Sequence, residues 1–226
     1  MNSDTVELKA TDGHELRGYR ARPGGTPKGG VVVLQEIFGV TDHIRRVTDQ
    51  FAEAGYLAIA PALFDRIERG VELKYTAVTE GRKYRAAAKP DQTVLDIEAA
   101  LDALRPVGKI SVVGYCWGGG MAYLAACRLT IDAAIAYYGG PISEYLDLKP
   151  RCPIMYHFGA QDSLIPMETV SAVRKVDPEG IFHIYENSGH GFNCDEREDY
   201  NPQDAKLALE RSLAFLGQYL QTKHSA

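Results

Sequence analysis

Cysteine is scarce in this chain: four residues in 226 (Cys116, Cys127, Cys152 and Cys194), none in a C-x-x-C pair. Such spacing argues against a disulfide framework and offers no zinc-ligand pattern, so no metal is expected. Positive charge is not in excess either. The 25 Lys and Arg residues are outnumbered by 30 Asp and Glu, for a net charge of −5. The two signs are interspersed, which argues against a dedicated nucleic-acid face. Long apolar runs are missing as well. The longest, such as Tyr56 to Phe64, fall far short of a bilayer span, and the opening MNSDTVELKATDGHELRG lacks the apolar core of a signal peptide. These absences predict a soluble, cytoplasmic protein without membrane or nucleic-acid partners, as a monomer or weak homo-oligomer. Repeats, low-complexity tracts and linkers are also absent, so residues 1–226 read as a single domain with a substantial core.

What is present is an alternation of strand and helix signals. Thr5–Leu8 and Leu16–Ala21 read as strands joined by the Asp12-Gly13 turn. After a Gly- and Pro-rich loop, Val31–Gln35 is a continuous β-branched run, the mark of a buried strand. Val40, Ile44, Val47, Phe51 and Ala54 then share one helical face, stopped by Gly55. Tyr56–Ala60 is the next strand, closed by Pro61. Asp91 is placed to cap a helix with Val94, Ile97, Leu101 and Leu104 on one stripe, ending before Pro106. Strands are predicted at Ile110–Gly114, Ala133–Tyr138, Ile154–Phe158 and Ile181–Tyr185. Helices are predicted from Trp117 to about Cys127, over Pro166–Val176, and at the end with Leu209, Leu213, Leu216 and Leu220 on one face. This order predicts an α/β fold, a mainly parallel central sheet with helices on both faces. The charged and aromatic segment Arg66 to Lys89 fits least well, reading as helix plus loop over the carboxyl ends of the strands, where it would cover a site.

Chemistry concentrates in GYCWGGG, Gly114 to Gly120, where a strand gives way to a helix. A dinucleotide fingerprint fails there: counted from Gly114 the second glycine position is Cys116, and counted from Gly118 the third is Tyr123. A phosphate loop fails for want of Gly-Lys-Ser/Thr. Two readings remain. Cys116 is a small buried hydrophobe and the glycines permit close packing, or G-x-Cys-x-G is a nucleophile elbow with Gly114 and Gly118 at the offsets where side chains would collide. In the elbow, the helix beginning at Trp117 aims its free N–H groups and positive dipole end at the sulfur, favouring thiolate.

The second reading needs partners in the order nucleophile, acid, histidine. Asp162, in FGAQDSLIP, directly follows a strand. Among six histidines, His14 and His43 come too early, His157 precedes the acid, His183 lies inside a strand and His224 is in the tail. His190, in NSGHGF, follows the last strand on a glycine loop expected to be mobile. Earlier, LQEIFG places the backbone N–H of Ile37 to pair with that of Trp117 as an oxyanion hole. Glu36 directly follows a buried strand, with a salt bridge to Arg45 or Arg46 as the plain alternative.

Together LQEIFG, GYCWGG, AYYGG, HFGAQD and SGHGF resemble the dienelactone hydrolase family of α/β-hydrolases over nearly the whole chain. The resemblance implies the α/β-hydrolase fold, no cofactor, and carboxymethylenebutenolidase-type hydrolysis of lactones or activated esters through a thioester. It implies Cys116 as nucleophile, His190 as base, Asp162 as its orienter, and Glu36 as the carboxylate that holds the resting thiol away from the histidine. Family members also grip a substrate carboxylate with arginines, one shortly after the histidine and one a turn before a tyrosine. Here Arg197 is the first base after His190, and around Tyr84 stand Arg82 and Arg85, with Glu80 at the helical offset. Arg82, Tyr84 and Arg85 are therefore the candidates for substrate contact, and Phe38, Trp117, Tyr138 and Phe192 for an apolar pocket. A broad small-ester carboxylesterase, or a non-catalytic ligand-binding or redox-sensing protein on the same fold, are the alternatives at this level.

Overall fold

Val31, Val32, Val33 and Leu34 are apolar at consecutive positions, a pattern satisfied by a sheet covered on both faces. A computed structural model, describing residues 2–220, buries all four completely. They form β3 (Gly30–Leu34) of an eight-stranded sheet with β1 (Asn2–Lys9), β2 (Glu15–Arg22), β4 (Leu57–Pro61), β5 (Ile110–Tyr115), β6 (Ala133–Tyr137), β7 (Ile154–Gly159) and β8 (Ile181–Tyr185). The spatial order is β1-β2-β4-β3-β5-β6-β7-β8. The first two strands make an antiparallel hairpin that joins β4 antiparallel, while β3 to β8 run parallel to one another. The helices are α1 (Asp42–Glu53), α2 (Val78–Ala87), α3 (Pro90–Leu104), α4 (Trp117–Arg128), α5 (Met167–Val176) and α6 (Pro202–Leu220).

Strand alternation divides the core into two layers. Val31 and Val33 point towards Ile44, Val47 and Phe51 of α1 and, further along the sheet, Phe215 and Leu216 of α6. Val32 and Leu34 point the opposite way, towards Val94, Ile97 and Leu101 of α3. Each such side chain contributes about 1.5–3 kcal/mol when fully buried. After β3 the chain crosses to β4 on one side, and after β5 to β6 on the other, so strand order reverses between β3 and β5. That reversal opens a crevice at the carboxyl ends of these two strands, the favoured ligand position in open α/β sheets.

Several boundaries differ from the sequence reading for local reasons. Thr41 caps α1 by accepting the Ile44 N–H, which leaves Val40 outside the helix. Lys89 occupies the N-cap of α3 and Pro90 its first position; Asp91 sits in the first turn and pairs with Arg128 instead of capping. Pro61 is the last residue of β4. On α6 the buried face is Ala208, Ser212, Phe215, Leu216 and Leu220, with Leu209 and Leu213 at its edge. Arg66 to Ala77 is turn and loop before α2, anchored by the Arg66 guanidinium to Asp12 (2.7 Å) and to Asp96 on α3 (2.7 and 2.8 Å). His224 lies outside the described residues. No helix among the described residues is long and apolar enough to cross a membrane.

Candidate active site

The elbow begins as a backbone problem. Cys116 has φ 53° and ψ −113°, a sparsely populated region that costs about 1–3 kcal/mol for a residue with a side chain. Tight neighbours enforce it. A methyl group on Gly114 would lie 1.9 Å from the Gly118 carbonyl oxygen, and one on Gly118 would lie 2.5 Å from the carbonyl oxygens of Leu34 and Gln35. Both positions therefore require glycine. The Gly118 N–H donates to Gln35 O at 3.1 Å, fastening the first turn of α4 to the end of β3. The Ile37 and Trp117 N–H groups, one on each side of this junction, donate no hydrogen bond among the described residues.

Three remote side chains meet above these strand ends. His190 Nε2 lies 3.1 Å from Cys116 Sγ, and its Nδ1 lies 2.8 Å from Asp162 Oδ2. The other carboxylate oxygen, Oδ1, accepts the N–H groups of Leu164 (2.8 Å) and Ile165 (3.1 Å), so the acid is held at both ends. The histidine loop is firmly packed, contrary to the mobility expected from its glycines. Ser188, His190, Phe192 and Cys194 are all buried, and Asn201 N–H closes onto Phe192 O at 3.0 Å. Gly191, at φ 81°, gives way to the Arg197 side chain, whose Nε would lie 2.7 Å from a methyl there. Burial alone would lower the His190 pKa. The charge of Cys116 and the hydrogen bond to Asp162 outweigh it and raise the imidazole to about 10.

Glu36 lies in the same crevice, fully buried, with neither oxygen hydrogen-bonded. Its nearest cation is Arg197, at 4.0 Å. Arg45 instead pairs with Asp42 and Glu72, and Arg46 with Asp195 and Glu196, so neither alternative salt bridge to Glu36 forms. Nor does the carboxylate hold the sulfur, which faces His190. Burial and then the Glu36 charge raise the Tyr75 and Tyr138 hydroxyls, and the Cys194 thiol to about 12.

A cavity of about 380 Å³ opens over Cys116 and His190, walled by Ile37, Phe38, Trp117, Pro141, Leu164 and Ile165. Arg82 and Arg85 reach it from α2, and Arg197 from the histidine loop. Tyr84, Tyr138 and Phe192, expected at the substrate, do not line it. Tyr84 turns away to stack on Phe64, with ring centroids 5.3 Å apart. Tyr138 and Phe192 are wholly buried; the Tyr138 ring stands edge-on to His190 at 5.3 Å. Sequence reasoning passed over Gln35, whose amide accepts Leu63 N–H (3.0 Å) and donates to Glu36 O (3.3 Å), fixing the loop that carries Ile37. A polar residue at the end of an apolar strand was its only signal.

One cluster has the composition of a metal site. His43, Cys194 and Asp195 bring donor atoms within 4.8 Å of one another. Asp195 Oδ1 already receives Arg46 at 2.8 Å and meets His43 Nδ1 at 3.0 Å, so the cluster fits an ion-pair knot better than a cation.

A sequence model of the dienelactone hydrolase family matches residues 16–220, which carry every strand end described above except the hairpin's first strand. The chain belongs to the dienelactone hydrolase family. It is 31% identical to a carboxymethylenebutenolidase of Pseudomonas putida, over 99% of both chains. It is 33% identical to a provisionally named carboxymethylenebutenolidase of Synechocystis sp., covering 92% of this chain and 96% of that one. Among solved structures, a provisionally named dienelactone hydrolase of Klebsiella pneumoniae superposes with a TM-score of 0.83 at 29% identity, covering 97% of this chain and 100% of the other. As a dienelactone hydrolase family member on the α/β-hydrolase fold, the protein is a hydrolase of ester bonds in lactones or esters, which sets aside the non-catalytic alternatives.

Proposed function

We propose that this chain is a carboxymethylenebutenolidase-type hydrolase in which Cys116, His190 and Asp162 form the catalytic triad. The observation that carries this reading is the continuous chain Sγ–Nε2 at 3.1 Å and Nδ1–Oδ2 at 2.8 Å, on a strained elbow facing a cavity. The His190 pKa, raised to about 10, supports a resting imidazolium beside the Cys116 sulfur. The thiolate attacks the ester carbonyl carbon, and negative charge moves to the carbonyl oxygen. That oxygen accepts the Ile37 and Trp117 N–H groups, whose stabilisation is largest in the transition state. Collapse re-forms the carbonyl and breaks the bond between the acyl carbon and the leaving oxygen, and His190 Nε2 gives its proton to the leaving enolate or alkoxide. The sulfur is now a neutral thioester, so its charge no longer retains a proton on the imidazole. His190, oriented by Asp162, takes a proton from water, whose oxygen attacks the thioester. Acid is released and the thiolate–imidazolium pair returns.

Thiolate attack favours activated esters and lactones, because an enolate or phenolate leaves more readily than an amine. Three guanidinium groups, Arg82, Arg197 and the Glu144-paired Arg85, line the cavity and suit a substrate carboxylate. The decisive experiment compares a carboxylate-bearing dienelactone with a neutral aryl acetate, on wild type and Cys116→Ala. Turnover of both by wild type and neither by the variant is expected, with kcat/KM higher for the dienelactone. Unimpaired turnover by Cys116→Ala would overturn the nucleophile assignment, and equal or better use of the neutral ester would favour the broad carboxylesterase.

A further inference from the structure

Helix α2 buries a single residue, Gly81, and that residue rests on Ile37. A methyl group at Gly81 would lie 2.5 Å from Ile37 O and 3.0 Å from its Cγ1, so the helix backbone touches the very peptide that follows the proposed oxyanion N–H. Three residues along, Tyr84 stacks on Phe64 with centroids 5.3 Å apart and planes at 26°. Phe64 in turn stacks on the Trp117 indole at 5.1 Å and 18°. One surface helix therefore bears on both residues of the proposed oxyanion hole, directly on one and through a single ring on the other. Its own position is held from the outside, by Tyr84 to Glu68 and by Arg85 to Glu144 across the cavity.

We propose that α2 is a brace for the oxyanion hole, and that Gly81 and Tyr84 are positioning residues for the acyl-transfer step; this rests on the hydrolase reading above. The physical need is plain. An oxyanion donor works only when it already lies within a few tenths of an ångström of where charge will develop. Trp117 N–H is placed by the start of α4, but Ile37 sits in a loop; its N–H makes no hydrogen bond among the described residues, and the peptide that carries it is held only through Glu36 O, by the Gln35 amide. Contact with Gly81 adds a second constraint, on the carbonyl and side chain of Ile37. Val78, Arg82 and Arg85 on the same helix line the cavity, so a substrate that presses on α2 tightens the donors it needs. Part of its binding is then expressed in kcat instead of KM.

The test separates oxyanion chemistry from thiol chemistry. Alkylation of Cys116 by iodoacetamide forms a sulfur–carbon bond and releases iodide without developing an oxyanion; acylation by p-nitrophenyl acetate does develop one. Gly81→Ala puts a better helix former at the position while pushing Ile37 away. It is expected to slow the acylation burst by about 10- to 100-fold, with KM within about threefold and alkylation within about twofold of wild type. Tyr84→Ala should act in the same direction more weakly, and Tyr84→Phe, which retains the ring, should restore the burst. Lys83→Ala, exposed and facing away from the cavity, should match wild type. Acylation and alkylation falling together, or a Gly81→Ala burst equal to wild type, would overturn the brace. A wild-type protein that alkylates but never acylates would overturn the hydrolase reading instead.

Discussion

The most informative single atom pair is His190 Nε2 and Cys116 Sγ. The imidazole pKa is raised to about 10 chiefly because charge on that sulfur outweighs the cost of burial, with Asp162 adding a hydrogen bond. Removing the sulfur removes the larger of those favourable effects. Cys116→Ala is therefore expected to lower the His190 pKa by more than about one unit, read from imidazole nitrogen shifts across a pH titration. The sign for turnover follows from the proton that His190 donates in the proposed mechanism. Below pH 10 the imidazolium is present and the leaving group is protonated; above it the proton is lost. The alkaline limb of kcat/KM should thus fall near pH 10 and not near the ordinary histidine value of about 6.5. A limb near 6.5 would contradict the ion pair. Glu36 adds a second residue-scale expectation: Arg197→Gln leaves a buried carboxylate without its nearest cation, and the variant should lose about 2–4 kcal/mol in urea unfolding, more than the loss of a surface pair allows.

At the scale of elements, two buried polar groups tie the pieces together. Arg66 links the hairpin turn at Asp12 to α3 at Asp96, whose carboxyl is wholly buried. Burial raises the Asp96 pKa against the opposing pull of Arg66. Arg66→Ala strands that carboxyl, and about 3–5 kcal/mol of stability should be lost at pH 7; Asp96→Asn in the same background should recover part of it, measured by urea denaturation. His157 joins β7 to β8 and α6 through Tyr185 (2.7 Å) and Ser212 (3.1 Å). Burial, followed by the nearby His183 and Arg211, lowers its pKa well below the ordinary value. The unfolded chain then binds a proton below about pH 6.5 that the folded chain refuses, so stability falls as pH drops through that value, by up to about 1.4 kcal/mol per unit. His157→Gln should flatten the decline in thermal midpoint between pH 6.5 and 5.

For the whole molecule, the proposed preference for a carboxylate-bearing substrate rests on the residues that line the cavity. Apolar side chains line it together with Arg82, Arg85 and Arg197 and one acid, Glu144. Arg82 is exposed and makes no ion pair with the described residues, so it is the guanidinium most available to an anionic substrate. Arg82→Gln should raise KM for a carboxylate-bearing lactone by about 5- to 20-fold, in line with loss of one charged hydrogen bond, while leaving a neutral aryl ester within about twofold. Equal effects on both would place the residue in the structure of α2 and not at the substrate.

Much of this was legible in one dimension. Apolar runs such as Val31–Leu34 specify buried strands because a continuous β-branched segment has no exposed face to offer. Gly114 and Gly118 mark the elbow because no side chain fits beside their backbones, a constraint that must appear as residue type. The order Cys116, Asp162, His190 follows from which strand each one ends. What only the tertiary structure decided was direction and company. Tyr84, Tyr138 and Phe192 carry the right chemistry for a pocket, yet stacking and core packing turn them away from it. Glu36 has no hydrogen bond to the sulfur, and Gly81 bears on Ile37, because long-range packing sets those distances. Residue types and their order along a strand are local properties; where a side chain points depends on what the rest of the chain has already filled.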